Sequence, residues 1–217
     1  MRSYGQLCAL AKALDLVGDR WTLLIVRELL IRETCRYTDL RSGLPGIATN
    51  LLAERLDELV EAGLVSREAA PPPIATTVYR LTDRGRQLEP VVEALGRWGA
   101  PLLATATGKE AFLSHWLALP ARLYVRDTTP KAPSVRVELR PGGEPITLET
   151  VGDGSVRTRI GATGHADATL EGPPQVVLHL LTRKVTLSAA RKRGVRLHGD
   201  PKVLRRFGPK PAAQAPA

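Results

Sequence analysis

The sequence predicts an α+β protein made of two domains, and three observations point to this fold class. Apolar residues recur at helical spacing through most of residues 7–103. After Gly108 the pattern changes to short runs in which apolar and polar residues alternate, as they do in strands. The chain has 217 residues, which is enough for one large domain or two small ones. We therefore expect a domain boundary near residues 104–110.

The first half begins with four predicted helices, in which apolar residues recur every three or four positions. Their ranges are 7–17, 20–31, 37–43 and 48–62. The second helix is apolar on almost all sides, which is typical of a helix that is buried on several faces. Asp19 lies just before it and is expected to cap its first turn.

A β-hairpin and a further helix complete the first half. Residues 64–68 and 77–81 read as two strands, and the proline run at 71–73 between them cannot join a ladder and must form the loop. A helix is predicted over residues 84–103, and Pro90 lies inside it and should kink it.

The second half mixes short strands with helices. Strands are predicted over residues 122–126, 134–139, 145–151, 155–160, 165–172 and 194–199. Helices are predicted over residues 109–119, from Pro173 and from Asp200. The last residues are rich in Pro and Ala, so we expect a disordered tail over 208–217. The predicted domains are therefore 1–104 and 109–207.

The order of helices and hairpin in the first half predicts a winged helix-turn-helix, in which helix 48–62 would lie in the major groove of DNA. Short or polar side chains at its outward N-terminal end would reach base edges, and Asn can pair with adenine. Asn50 could instead be a surface cap, and Arg55 could pair with Asp57 or Glu58 rather than with phosphate. The candidate DNA contacts are Thr49, Asn50, Ala53, Arg55, Arg67, Thr76, Thr77 and Arg80.

Three stretches within residues 7–99 resemble the HxlR branch of the MarR-like winged-helix regulators. They are CALAKALDLVGDRWTLLIVRELL, YTDLRSGLPGIATNLLAERLDELVEAGLVSRE and VYRLTDRGRQLEPVVEALGRWG. The resemblance implies a homodimer, joined through the first and last helices of the domain, that binds a pseudo-palindromic operator on double-stranded DNA. The interface residues expected on this basis are Leu7, Leu10, Leu88, Val91, Leu95 and Trp98. The wing of the family usually carries basic residues, whereas PPPIATT in this chain has none.

Residues 111–207 resemble the sterol carrier protein-like fold. The most specific words are Ala-Asp-Ala-Thr-Leu, the following Gly-Pro-Pro helix and a late Gly-Asp-Pro turn. The resemblance implies a sheet and helices that enclose an apolar tunnel for a lipid-like ligand. The candidate lining residues are Val135, Val137, Ile146, Leu148, Val177 and Leu181. The alternative is that the same side chains fill a closed core.

The formal charge of +9 is unevenly distributed along the chain. Residues 1–108 carry 13 basic and 13 acidic residues, so the predicted DNA-binding half is neutral. Residues 109–217 carry 18 basic and 9 acidic residues, and nine of the basic ones fall within 183–206, against Asp200 alone. This run fits a solvated face, a contact with the DNA backbone, or a mouth that attracts an acidic ligand.

The sequence argues against catalysis and against a metal or cofactor site. The four histidines lack the spacing of a metal site, and neither a phosphate-binding loop nor a nucleophile elbow is present. The two cysteines are too few for a disulfide framework. Cys8 is a thiol switch if it follows the resemblance, and otherwise a small buried residue.

The predicted function is that of a sequence-specific, DNA-binding transcriptional regulator, with a small apolar molecule as a candidate effector of the second domain. We expect it to act in the cytoplasm, because the chain lacks both a signal peptide and an apolar run of the length that spans a membrane. The alternative is a carrier or binding protein for an apolar ligand, in which the winged helix makes protein contacts.

Overall fold

A computed structural model describes residues 3–70, 76–105, 107 and 109–211 of the chain. It divides the chain into two units, Met1–Ala111 and Phe112–Ala217. Each unit combines helices with a sheet, so the predicted α+β fold class is confirmed.

The first unit follows the predicted order of helices and hairpin. Its elements are α1 (Ala9–Val17), α2 (Thr22–Arg32), β1 (Cys35–Arg36), α3 (Tyr37–Gly43), α4 (Thr49–Glu61), β2 (Val65–Ala69), β3 (Thr77–Leu81), α5 (Asp83–Arg86), α6 (Glu89–Gly99) and a 3-10 helix (Ala100–Thr105). Strand β3 lies between β1 and β2 and is antiparallel to both. The two-residue strand β1 was not predicted, because it is too short to show any alternation.

Pro90 does not kink one continuous helix, so the prediction of a single helix over 84–103 is wrong. Helix α5 ends at Arg86, and Pro90 lies in the first turn of the separate helix α6. A proline inside a helix removes a hydrogen bond and collides with the preceding turn, whereas the first turn tolerates it. The Thr82 hydroxyl caps α5 by accepting the Gly85 N–H at 3.1 Å.

Aliphatic side chains from α2, α3 and α4 form the core of the first unit, together with one buried charge. The Glu28 carboxylate is completely buried and lies 2.7 Å from Nη2 of Arg27 and 3.9 Å from Nε of Arg32. A side chain at Gly43 would collide with this carboxylate, so α3 approaches α2 only because Gly43 has none. The ion pair thereby fixes the position of α3, which leads into α4.

The second unit is built around a five-stranded sheet. Its elements are a 3-10 helix (Ser114–Leu117), α7 (Ala118–Tyr124), β4 (Val125–Asp127), β5 (Arg136–Arg140), β6 (Ile146–Thr150), β7 (Val156–Ile160), β8 (Ala168–Glu171), α8 (Pro174–Leu181), α9 (Leu187–Lys192), β9 (Arg196–Gly199), a 3-10 helix (Pro201–Arg206) and β10 (Phe207–Pro209). The strand order is β7-β6-β5-β8-β9, with β8 parallel to β5 and the other neighbours antiparallel.

The boundaries of the second unit differ from the prediction at both of its ends. The helix predicted over 109–119 begins later, as a 3-10 turn followed by α7, because Pro120 must fall within a first turn. Helix α7 then continues to Tyr124, so the strand predicted over 122–126 reduces to β4. The helix predicted from Asp200 is a 3-10 helix rather than an α-helix.

The predicted disordered tail over 208–217 begins too early. Gly208 and Pro209 belong to β10, which pairs with β4 in a separate two-stranded sheet. The Arg183 side chain holds this strand in place, because its Nε donates to the Phe207 carbonyl oxygen at 3.0 Å. Residues 212–217 of the predicted tail lie outside the described residues.

A buried ion pair ties the end of the described chain to β4. Arg206 binds both carboxylate oxygens of Asp127, at 3.0 and 2.7 Å, and also donates to the Pro133 carbonyl oxygen at 2.6 Å. The Asp127 carboxylate is completely buried, and the Arg206 hydrogen bonds hold its pKa below the ordinary value. This carboxylate therefore contributes stability above its unfolded pKa and loses the contribution as the pH falls through its folded pKa.

We expect Asp127→Asn to lower the free energy of unfolding by about 3–5 kcal/mol at pH 7, the usual cost of removing one partner of a buried pair. The difference from the wild type should shrink as the pH falls below about 4, because the carboxyl then binds protons in the unfolded wild type before it does so in the folded one. Urea unfolding of the full chain, followed by circular dichroism between pH 7 and pH 3, measures both effects.

Asp153→Asn is the matched control, because Asp153 is an exposed loop carboxylate that accepts the Ser155 N–H at 2.7 Å. Its loss should cost less than about 1 kcal/mol. Equal destabilisation by the two substitutions would contradict a special role for the Asp127 pair.

Candidate nucleic-acid interface

Helix α4 buries one face and presents the other to solvent. Leu52, Leu56 and Leu59 are buried, each with at most 1% of its surface exposed, and they anchor the helix against the core. Because a helix repeats every 3.6 residues, this stripe forces the side chains between them outwards. The outward residues at the start of the helix are exposed, and they are the predicted base-reading residues Thr49, Asn50 and Ala53.

The first turn of α4 is also held from the preceding helix. The Tyr37 hydroxyl, on α3, donates a hydrogen bond of 2.6 Å to the Thr49 carbonyl oxygen. The Ala48 N-cap supplies no side-chain hydrogen bond, and Asn50 lies within the helix, so Asn50 is not a cap residue. Its amide therefore stays available for a partner outside the chain.

The rest of the outward face of α4 is acidic, which sequence reasoning did not weigh. Glu54, Asp57 and Glu61 are all exposed. Carboxylates on this surface repel the phosphates of a duplex, so only the first turn of α4 is suited to close contact with DNA.

Arg55 does not extend freely into solvent, which changes its predicted role. Its side chain is 14% exposed, and Nη1 lies 2.6 Å from the Asp19 carboxylate in the turn before α2. The same nitrogen donates to Glu58, and Nη2 lies 3.4 Å from Glu54. The alternative pairing with Glu58 is therefore the one observed. A phosphate contact by Arg55 would have to displace these carboxylates.

Asp19 does not cap α2, so that prediction is wrong. The N-cap position is Trp21, which has a φ of 82° and no side-chain cap hydrogen bond. The Asp19 carboxylate binds Arg55 instead. A bulky residue in the left-handed region costs about 1–3 kcal/mol, so surrounding contacts must hold the turn in place. The bond between Asp19 and Arg55 is one such contact, and it ties this turn to α4.

The wing is formed by β2 and β3, and its predicted tip, residues 71–75, lies outside the described part of the chain. Thr76 is half-buried, and Thr77 and Arg80 are exposed. Arg67 lies 2.8 Å from Asp57 of α4, so this cation is shared with an acidic neighbour.

Arg80 has a neighbour that sequence reasoning missed. Arg36, on β1, and Arg80, on β3, line the same open cleft of about 290 Å³ at the base of the wing. Asp39 and Glu68 also line this cleft, so its charge is balanced. The short strand β1 brings Arg36 here by pairing with β3, a contact between distant segments that periodicity does not reveal.

Exposed apolar side chains lie at or near α1, on α6 and on the 3-10 helix that follows α6. Among the predicted interface residues, Leu10 is 67% and Trp98 76% exposed, and Leu7, Val91 and Leu95 are exposed as well. Leu88 is half-buried. Further exposed apolar residues of the first unit are Tyr4 and Leu14, at or near α1, and Leu102 and Leu103 in the 3-10 helix. So many exposed apolar side chains on two helices are typical of an interaction surface.

The predicted ligand-lining residues lie on the apolar side of the five-stranded sheet and on α8. Val137, Ile146, Leu148 and Val177 are completely buried, Leu181 is nearly so, and Val135 is half-buried. The sheet residues face the layer that includes α7 and the 3-10 helix Ser114–Leu117. A ligand between these layers would have to separate side chains that are now packed together.

The structure also locates the two cysteines and bears on metal binding. No group of three or more His, Cys, Asp or Glu in the described ranges could hold a metal ion. Cys8 is exposed at the start of α1, whereas Cys35 is buried, and burial raises the pKa of its thiol to about 12. Within the same ranges, no helix is long and apolar enough to cross a membrane.

Comparisons with known proteins match the two units separately. Residues 16–106 match the family model described as HxlR-like helix-turn-helix, and residues 130–209 match the SCP-2 sterol transfer family. The HTH-type transcriptional regulator YvaP of Bacillus subtilis is 36% identical over 87 residues, which are 40% of this chain and 80% of YvaP. A second regulator, sll1512 of Synechocystis, is 33% identical over 99 residues, or 46% of this chain and 73% of that protein.

Among solved structures, the reduced form of the transcriptional regulator YodB from B. subtilis is 30% identical to the chain. The match covers 43% of this chain and 92% of YodB, with a TM-score of 0.39.

The ion pairs of Arg55 predict that it positions α4 rather than binding phosphate. We expect Arg55→Gln to weaken binding to a specific duplex by about fivefold, equivalent to about 1 kcal/mol. The dependence of log K on log salt should stay unchanged. Asp19→Asn should reproduce the effect, although Asp19 itself cannot attract phosphate.

Arg80→Gln is the comparison variant for this measurement. Arg80 is exposed, and it has no acidic partner within 4.0 Å in the described residues. If Arg80 contacts phosphate, its loss should lower the salt slope by about 0.9. A similar fall in slope for Arg55→Gln would show that Arg55 does bind phosphate.

Proposed function

Because the chain belongs to the HxlR-like helix-turn-helix family, we propose that it is a transcriptional regulator that binds a specific DNA sequence through α4. One observation carries the proposal. Thr49, Asn50 and Ala53 are exposed at the start of a helix whose opposite face is fully buried, and this helix follows α3 through a short turn. That arrangement presents the first turn of a recognition helix to the major groove.

The roles of the candidate contacts follow from their chemistry. Asn50 carries the amide that pairs with adenine, while Thr49 and Ala53 contact base edges or a thymine methyl group. Arg67, Arg80, Thr76 and Thr77 lie on the wing strands or next to them and would contact the backbone, which fixes the register of the protein on the duplex. The predicted first domain, 1–104, contains all of these residues.

We infer that the working form is a homodimer, joined by α1 and α6. The exposed apolar side chains on these helices would be covered by the same surface of a second copy. A two-fold dimer presents two recognition helices to half-sites about one helical turn apart, which explains why a pseudo-palindromic operator is expected.

For the second domain, 109–207, the proposal is a sensor of a small apolar molecule. Its support is the match of residues 130–209 to the SCP-2 sterol transfer family, together with the aliphatic layer between sheet and helices. Such a ligand would change operator affinity only if it binds the DNA-competent and incompetent dimers with different affinities. Denaturing mass spectrometry of the purified protein would detect a co-purified ligand.

The same match favours a second candidate function, that of a carrier for an apolar ligand. In that case the winged helix would contact protein rather than DNA. A gel shift with the DNA upstream of the protein's own coding sequence separates the two, because a carrier would show no preference for this DNA over a scrambled duplex.

We expect Asn50→Ala to reduce discrimination between specific and scrambled DNA by about 1–3 kcal/mol, because one bidentate base contact is lost. Fluorescence anisotropy with both duplexes at one salt concentration measures it. Arg80→Gln should instead weaken binding to both duplexes alike. An equal loss on both duplexes for Asn50→Ala would mean that Asn50 does not read bases.

We also expect Leu95→Glu to dissociate the dimer, because it would bury an unpaired carboxylate at the interface. Sedimentation velocity gives the oligomeric state, and circular dichroism checks the fold. Leu24→Glu is the matched control, since Leu24 on α2 is 41% exposed and Leu95 is 47% exposed. A folded Leu95→Glu variant that remains dimeric would place the interface elsewhere.

A further inference from the structure

The structure separates the nine cations of residues 183–206 into two groups. Three of them have partners within the second unit. Arg183 and Arg206 hold β10 and β4, and Arg196 lies 3.4 Å from Glu171 on the neighbouring strand. The other six are exposed and have no acidic partner within 4.0 Å among the described residues, and these are Lys184, Arg191, Lys192, Arg193, Lys202 and Arg205.

Three of these six are consecutive at the end of α9. We call Arg191, Lys192 and Arg193 the α9 cluster. Helix α9 attaches to the unit through Ala190, which is completely buried, and through Val195 just beyond it. The three side chains of the cluster are all exposed. Cations at a helix C-terminus are favourable, but that effect does not require three adjacent positive charges that repel each other.

The polar face of the five-stranded sheet shows how this unit compensates other arginines. Glu149 lies 2.9 Å from Arg136 and 3.9 Å from Arg157, across neighbouring strands. Glu138 lies 2.6 Å from Arg140, two positions along the same strand. Several charges on this face are therefore arranged as a ladder of ion pairs, which is typical of a solvated surface. The α9 cluster differs from this face in having three consecutive cations, none of which has such a partner in the described part of the chain.

The first unit, unlike the second, has no excess of positive charge. Residues 1–108 are neutral, and the outward face of α4 beyond its first turn is acidic. DNA affinity depends largely on the neutralisation of phosphates by Lys and Arg. Cations from another part of the chain would therefore add to the DNA affinity of a domain that carries no net charge.

We propose that the α9 cluster binds the phosphate backbone of the duplex that α4 reads, and so adds electrostatic attraction that the net charge of the first unit does not supply. The proposal rests on the proposed function. It assigns double-stranded DNA as the partner, because this is the polyanion that the first unit is proposed to bind. The contact would be independent of sequence, because arginine and lysine on phosphate carry no base information.

The test uses the full chain with Arg191→Gln, Lys192→Gln and Arg193→Gln combined. Its affinity for a duplex containing the recognised upstream sequence, and for a random duplex, is measured from about 50 to 200 mM salt. The slope of log K against log salt should fall by about two to three for each protomer whose cluster contacts the duplex. Discrimination between the two duplexes should stay as in the wild type.

A matched control removes the same charge from elsewhere in the second unit. Arg126, Lys131 and Arg159 are exposed cations in three separate segments, and none has an acidic partner within 4.0 Å in the residues that the structure describes. Their combined change to Gln should alter the slope by less than about one, because diffuse charge releases fewer counterions than direct contacts. An equal fall in slope for the two triple variants would overturn the proposal, as would an unchanged slope for the cluster variant.

Three further results are informative. If the cluster variant keeps the wild-type slope on DNA but loses binding to vesicles of equimolar phosphatidylcholine and phosphatidylglycerol, the cluster serves an anionic membrane and the proposal fails. If the wild type discriminates between the two duplexes and the cluster variant keeps the wild-type salt slope, only this inference is rejected. A wild type that shows no discrimination at any salt concentration rejects the proposed function as well.

Discussion

Burial of a single aliphatic stripe on α4 is the constraint on which the candidate interface depends. Leu52, Leu56 and Leu59 have almost no exposed surface, so the rotation of the helix about its axis is fixed. That rotation places Thr49 and Asn50 outwards, and it also sets the acidic side chains that follow them on the same surface. The buried Glu28 pair and the absence of a side chain at Gly43 set where α3 lies, and the Tyr37 hydroxyl links α3 to the first turn of α4. The core beneath α4 thus sets the orientation of the residues proposed to read DNA.

The charge distribution of the chain suggests that different residues provide the recognition of a DNA sequence and the electrostatic attraction to DNA. In the first unit, positive and negative charges are equal in number, and Arg55 and Arg67 are both paired with acidic residues close to α4. A surface of this kind discriminates among sequences through hydrogen bonds but adds little non-specific affinity. Cations of the second unit that lack partners would restore that affinity without altering the specificity of α4. Separate residues would then set how tightly the protein binds and which sequence it prefers.

Local periodicity predicted the helices of this protein, but it did not predict which charged side chains form ion pairs. The helices of the first unit were predicted to within two residues at each end up to Glu61, because a 3.6-residue repeat is a property of neighbouring residues. The effect of Pro90 also follows from a local rule, because a helix tolerates proline only in its first turn. The sequence predicts a kink at Pro90, whereas in the structure a new helix begins there. The bond between Arg55 and Asp19 joins residues 36 positions apart, and β1 consists of two residues, so neither leaves a periodic signal. Whether a buried aliphatic residue fills a core or lines a tunnel is likewise not encoded in its spacing.

Control by an apolar ligand carries a definite energetic requirement in this fold. The candidate lining residues Val137, Ile146 and Leu148 are sealed by packing, so a ligand that enters must replace contacts that already stabilise the closed unit. Its net binding energy is the difference between its own burial and the contacts that it displaces. A tenfold change in operator affinity needs about 1.4 kcal/mol of that net energy to differ between the DNA-competent and incompetent states. Tight binding alone is therefore not a sign of regulation: an effector must open the layer between sheet and helices in one state of the proposed dimer more easily than in the other.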